Sequence, residues 1–202
     1  MIQSKQDYKH YLSEDLRHYQ LKGYTFGVHL KNPIVRFQRR LRRIEYLTNC
    51  KGSSLIHKPY RKYLEVLNIR LGIRLGFSIP INSFGPGLCL PHYGTIVVAG
   101  KAKIGKNCRV HPGVGIGAYH GSPVIGDNVY LGPGSKLFGA IEIGNNVSVG
   151  ANSVVTKSFE SNVSIAGAPA RVISNQTTLE LGMFPESFLK EADIISAVKK
   201  DD

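Results

Sequence analysis

Six residues separate one aliphatic anchor from the next through most of the stretch 92–173. Ile104-Gly105, Ile116-Gly117, Ile125-Gly126, Leu131-Gly132, Ile143-Gly144 and Val149-Gly150 share one pattern, and Val98, Val110, Leu137 and Val155 fill the remaining anchor positions. So short a period does not arise in a core whose strands are each met once. It predicts a parallel β-solenoid. Six residues make one flat face, three faces complete a coil, and coils stack at the inter-strand spacing of about 4.8 Å. The anchor points to the axis. The residue after it turns a corner, where a small side chain or a positive φ is needed.

The rhythm fails twice. A first frame runs Ser78, Phe84, Leu90, Ile96 and restarts two residues later at Val98, just past His92. Nine residues rather than six then separate Ile116 from Ile125, and the extra ones include Tyr119 and His120. Departures from the repeat of a solenoid are where function concentrates.

Outside the repeat the chain divides by charge. Of the net +12, residues 1–75 hold 16 Lys/Arg against 5 Asp/Glu, whereas 176–202 hold 3 against 6. Helical spacing of apolar residues predicts helices over about 3–20, 34–49 and 57–75. The expected plan is mainly β: a basic α-helical region over 1–76, a solenoid over 77–175 and a helical tail over 176–202 carrying Leu179, Leu181, Phe184, Phe188, Leu189, Ile194 and Ile195. The helices would cap one end of the solenoid, whose edges must be covered. Arg36, Arg39, Arg40, Arg42 and Arg43 fall on the polar side of the second helix. They form either a solvated face or a docking surface for an anionic partner: acidic glycan, phosphate or membrane headgroups. No recognition motif accompanies the charge, so no nucleic-acid partner is expected. Three cysteines (Cys50, Cys89, Cys108) without C-x-x-C spacing read as reduced thiols rather than a disulfide or a metal site. The polar N-terminus does not resemble a secretory signal, and the expected location is cytoplasmic, with peripheral membrane association left open.

The repeat, the helical N-terminus, the run Leu90-Pro-His92-Tyr-Gly-Thr-Ile-Val-Val98 and the closing Ala166-Gly-Ala-Pro-Ala-Arg171 together resemble the hexapeptide-repeat acyltransferases, in their serine O-acetyltransferase branch. The closer resemblance is to the serine-acetyltransferase-like enzymes of capsule and exopolysaccharide pathways, through Asp7-Tyr-Lys-His-Tyr-Leu12 and Phe77-Ser-Ile-Pro-Ile-Asn-Ser-Phe-Gly-Pro-Gly-Leu88. The resemblance implies a left-handed β-helix, acetyl-CoA as co-substrate with no metal, a homotrimer with sites between subunits, and pairing of trimers as an open question. It also implies a catalytic base at His92.

Two departures bear on the acceptor. The family's aspartate about fifteen residues before the base falls at or near Phe77 here, and the acid just before it is Pro91. The family's Arg-His-Pro loop is replaced by Tyr119-His120-Gly-Ser-Pro123. Groups that would hold free serine are therefore missing, which favours a saccharide hydroxyl, the sugar of a capsular or other surface polysaccharide, over serine as acceptor. A non-catalytic scaffold is the remaining alternative. A hydroxyl attacks a thioester only if a base takes its proton, and histidine is suited to that. His92 and His120 are the catalytic candidates, and Tyr93, His111 and Tyr119 the candidates for acceptor binding. Glu14 or Asp15 is a candidate orienting partner for His92. The small residues Gly117, Ala118, Gly132, Gly150, Ala151 and Ser153 would let the pantetheine arm approach, and Lys157 and Arg171 would meet its phosphates.

Overall fold

The computed structural model describes residues 1–21 and 23–184. Four helices lead: α1 (Lys5–Arg17), α2 (Phe26–Lys31), α3 (Pro33–Lys51) and α4 (His57–Leu75). The strands are β1 (Phe77–Ser78), β2 (Ile96–Val98), β3 (Lys103–Ile104), β4 (Arg109–Val110), β5 (Gly115–Gly117), β6 (Val124–Ile125) and β7 (Tyr130–Leu131). They continue with β8 (Lys136–Phe138), β9 (Glu142–Ile143), β10 (Ser148–Val149), β11 (Val154–Val155), β12 (Ser164–Gly167) and β13 (Ala170–Ser174).

From β2 to β11 every third strand stacks on the last, which is the signature of a three-sided coil. Face I is β1-β2-β5-β8-β11, face II is β3-β6-β9, and face III is β4-β7-β10-β12-β13. All pairings are parallel except the closing β12–β13 hairpin. The anchors meet in columns along the axis, such as Val110, Leu131, Val149 and Ile165, each fully buried. Burying such a side chain contributes about 1.5–3 kcal/mol.

The corner between faces II and III explains why asparagine recurs beside glycine. Asn107, Asn128, Asn146 and Asn162 all have φ between 54° and 65°. Asparagine tolerates that left-handed region. Their amides form a ladder: Asn107 Nδ2 donates to Asn128 Oδ1 at 2.9 Å, Asn128 to Asn146 at 2.9 Å and Asn146 to Asn162 at 2.8 Å.

Both breaks in the rhythm are loops at corners. Val98 pairs with Ile116, while Phe77 pairs with Ile96. The two extra residues therefore lie between Leu90 and Val98, and the slip contains His92 rather than following it. For the same reason Ser78 is not an anchor: it is exposed, and Phe77 points inward. The loop between Ile116 and Ile125 leaves the corner between faces I and II.

The expected cap is present and shares the solenoid's core. Phe37 of α3 meets Phe77 edge-on at 5.3 Å, and Ile34, Leu41, Leu71 and Leu75 belong to the same apolar cluster as the anchors. α2 is an added element that the periodicity did not distinguish. The arginine stripe needs a correction. Arg42 is fully buried, not on a solvated face. Its Nε and Nη2 bind Asp15 at 2.8 and 3.1 Å, and Nη1 binds Glu45 at 3.1 Å. It also donates to the carbonyls of Phe84 and Gly85 in the first coil. Residues 176–184 are not helical. They turn along face III, where the Thr178 hydroxyl donates to the Asn128 carbonyl and the Met183 carbonyl accepts from Arg109. The rest of the expected helical tail, including Phe188, Leu189, Ile194 and Ile195, lies outside the described residues.

Candidate active site

The corner between faces III and I carries an aromatic column. His92 protrudes from the first coil and is exposed, as is Tyr93 beside it. One coil on, the His111 ring lies 6.3 Å from that of His92, tilted by 53°. Tyr130, on the following coil, is 5.0 Å from His111. The stacking follows from register, since Arg109 pairs with Tyr130 and Val110 with Leu131.

His111 is held neutral. Burial, then the Arg109 guanidinium, then His92 push its pKa down to about 4. Its Nε2 is buried with no hydrogen-bond partner among the described residues. A neutral imidazole beside an exposed one can accept or relay a hydrogen bond without adding a positive charge next to it.

Neither candidate acid from the helices orients His92. Asp15 is buried against Arg42, and its Oδ1 accepts from the N–H groups of Gly87 and Leu88, both at 2.9 Å. Glu14 pairs with Arg17 at 3.1 Å. Their positions on α1 are set by the clamp, which uses the carboxylate to join the helices to the coil. Nothing in sequence spacing reveals which residue that is.

Tyr119 and His120 stand on a different corner, between faces I and II. Both are exposed, their rings are 4.2 Å apart, and His120 has φ 49°. The expected coenzyme-contact residues divide the same way. Gly132, Gly150, Ala151 and Arg171 lie along the corner of His92, whereas Gly117, Ala118 and Lys157 lie along the corner of His120. A face of six extended residues separates the two corners by up to about 20 Å. Within one chain, therefore, His92 and His120 do not meet.

The corner glycines are shaped by the stack itself. A Cβ on Gly117 would strike the Phe138 ring, one on Gly132 would lie 2.6 Å from the Val149 carbonyl oxygen, and one on Gly150 would lie 2.9 Å from the Ala166 Cβ. Ser153 is fully buried and faces the solenoid interior. Lys157 and Arg171 are exposed, and the Lys157 ammonium lies 5.3 Å from the Phe159 ring centre. The cysteines are free; burial raises the Cys89 thiol to about 12, so it is not a nucleophile near neutral pH. Among the described residues no group of three or more His, Cys, Asp or Glu is placed to hold a metal ion. No helix among them is long and apolar enough to cross a membrane.

A three-sided parallel solenoid with a six-residue repeat and an exposed histidine corner is the architecture of a hexapeptide-repeat acyltransferase. The family model for bacterial transferase hexapeptide (six repeats) matches residues 122–157. Serine acetyltransferase of Staphylococcus epidermidis is 34% identical over 149 residues, covering 66% of this chain and 70% of that protein. The Staphylococcus aureus enzyme is 34% identical over 146 residues, covering 64% and 68%. Among solved structures, serine acetyltransferase from Brucella abortus superposes with a TM-score of 0.66 at 27% identity, covering 85% of this chain and 71% of that one. The chain belongs to the serine acetyltransferase family and has that family's left-handed β-helix. It is an acyltransferase. These relatives lend no support to the narrower likeness to capsule and exopolysaccharide enzymes.

Proposed function

We propose that the protein transfers an acetyl group from acetyl-CoA to the hydroxyl of serine, with His92 as general base. The observation that carries this reading is the 34% identity with serine acetyltransferases, across a stretch that amounts to two thirds of the chain. It replaces the saccharide as the first choice of acceptor. In the reaction, the His92 imidazole takes the hydroxyl proton as the oxygen attacks the thioester carbonyl. A C–O bond forms and a tetrahedral oxyanion results, to be met by a backbone N–H. Collapse breaks the C–S bond, and the imidazolium returns its proton to the departing thiolate of coenzyme A. Acetyl transfer is direct, with no acyl-enzyme. His111, kept neutral, supports His92 from the next coil. His120 and Tyr119 act on the acceptor from a neighbouring chain, which is the role of a homotrimer here: it brings one chain's III/I corner to another's I/II corner. Arg171 and Lys157 then approach the coenzyme phosphates from the two sides.

One observation favours a second reading, a sugar hydroxyl as acceptor. Pro91 and Phe77 stand where acids are expected, and Asp15 and Glu14 are engaged elsewhere. Among the described residues no carboxylate pairs with His92. A serine ammonium needs such a group; a sugar does not.

Release of coenzyme A thiol, followed with millimolar serine and separately with neutral and acidic oligosaccharides, distinguishes the readings. Serine-dependent release that falls by about 10²–10⁴ in His92→Ala is expected. Release with a saccharide and none with serine would transfer the assignment to the second reading. Unchanged release in His92→Ala would remove His92 from the chemistry.

A further inference from the structure

The arginines left over by the clamp line a groove in the helical cap that the acetyl-transfer site does not use. Arg36, Arg39, Arg40 and Arg43 recur at helical spacing on α3, so their guanidinium groups follow one side of that helix for about 10 Å. An open cavity of about 520 Å³ lies against this side, lined by Arg39, Arg40 and Arg43, by Tyr8 and Tyr60, and by His29. A second hollow of about 270 Å³ is lined by Arg36 and Arg40 and by Arg70 and Arg74 of α4. Arg40 is common to both.

Six guanidinium groups in one groove repel one another, and a fold normally offsets that with carboxylates. Here it does not. Among the described residues none of the six is in ion-pair contact with an acid: Glu45 binds Arg42, Glu65 binds Arg61 and Lys62, and Asp15 binds Arg42. Arg39 and Arg43 lie instead over aromatic rings, Arg39 5.0 Å from that of Tyr24 and Arg43 5.7 Å from that of Tyr8. Rings orient a guanidinium without neutralising it. Buried polar atoms are also left over: among the described residues Arg36 Nε, His29 Nδ1 and the Tyr24 hydroxyl have no hydrogen-bond partner. Burial, and then Arg39, Arg36 and Arg40, hold His29 toward its neutral form.

We infer that this groove is a binding site for a ligand bearing two or more phosphate groups. A carboxylate is satisfied by one guanidinium fork. A phosphate presents three or more acceptor oxygens and takes forks from several directions. Two hollows that share Arg40 as a wall fit a chain of phosphates better than a single one. Bound there, the ligand removes the mutual repulsion of the arginines and stabilises the cap. The inference is independent of the acceptor and of the roles of His92 and His120.

Tripolyphosphate is a suitable probe with the full chain. Calorimetry is expected to show one site per chain, and thermal unfolding a rise of roughly 5–10 °C at about 100 Kd. Sodium chloride at equal ionic strength should not reproduce that rise. The double variant R40Q/R43Q should lose most of it while keeping full acetyl transfer. In a second arm, sedimentation with phosphatidylcholine vesicles, with and without one fifth phosphatidylglycerol, separates the sources of phosphate. Binding to tripolyphosphate supports a soluble ligand, whereas binding to the anionic vesicles alone, whose headgroups carry one phosphate each, would overturn a site built for several phosphates. Binding to neither, a rise matched by chloride, or a rise unchanged in R40Q/R43Q overturns the site.

Discussion

At His111, burial and two neighbouring side chains act in the same direction. Arg109 and His92 face the ring from its own corner and Tyr130 packs beneath it, so the folded state disfavours the proton. The sign of the effect on stability follows. With a folded pKa of about 4 against 6.5 unfolded, only the unfolded chain binds this proton between those values. The contribution is complete above about pH 6.5, declines as pH falls, and is gone below about 4. His18 is pushed to about 4 as well, by burial, then Arg109, then Arg17, and adds to the same window. His111→Asn is therefore expected to flatten the fall in melting temperature between pH 6.5 and 4, relative to wild type, without abolishing it. A parallel fall in both proteins would show that His111 is protonated in the fold. At this scale the sequence was informative about His92 and His111 as residues, through the anchor register and the family resemblance. It was silent on their different exposure. That depends on the two extra residues between Leu90 and Val98, which the anchor count placed after Ile96.

The elements are joined by a polar clamp rather than by apolar contact alone. Arg42 of α3 ties Asp15 of α1 to the carbonyls of Phe84 and Gly85. Gln38, one turn earlier, donates to the Leu88 carbonyl at 2.5 Å, and the Tyr19 hydroxyl accepts from the Leu90 N–H at 2.9 Å. These bonds satisfy backbone groups of the first coil, which has no coil before it to pair with. The clamp thus does for residues 84–90 what a preceding strand does elsewhere. Arg42→Met would leave two buried carboxylates uncompensated, and a loss of about 3–5 kcal/mol in urea unfolding is expected. A loss below about 1 kcal/mol would mean that the clamp contributes little. Helical periodicity located α3 well, because an amphipathic stripe reads directly from apolar spacing; it bounded α4 as well, although Tyr60, Tyr63 and Ile69, counted on its apolar side, are exposed. It could not distinguish Arg42 from Arg39 or Arg43, since all are charged residues on one helix. What separates them is that, among the described residues, Arg42 alone of the three meets acids, and one of these, Asp15, lies 27 residues away on another helix.

For the whole molecule, the proposed function joins His92 and His120 in one site, which calls for more than one copy of the chain. His92 and His120 stand on corners separated by a full face, yet both lie where the repeat is interrupted and both are exposed. Face I between them presents Val97 and Phe138 to solvent, at 47% and 50% exposure, apolar surface suited to burial against another chain. A cyclic trimer uses a heterologous contact, so one chain's first corner meets the next chain's second at each of three equivalent interfaces. Light scattering is expected to give three times the chain mass. A sharper outcome follows from mixing. His92→Ala and His120→Ala should each be nearly inactive alone. Co-expressed in equal amounts, they should assemble trimers in which about one quarter of the interfaces carry both native histidines, and activity should return to about that fraction of wild type. Recovery requires that the two residues of one site come from different chains. A mixture no more active than its parents would place the whole site within a single chain, and an active His120→Ala protein would confine the chemistry to the corner of His92.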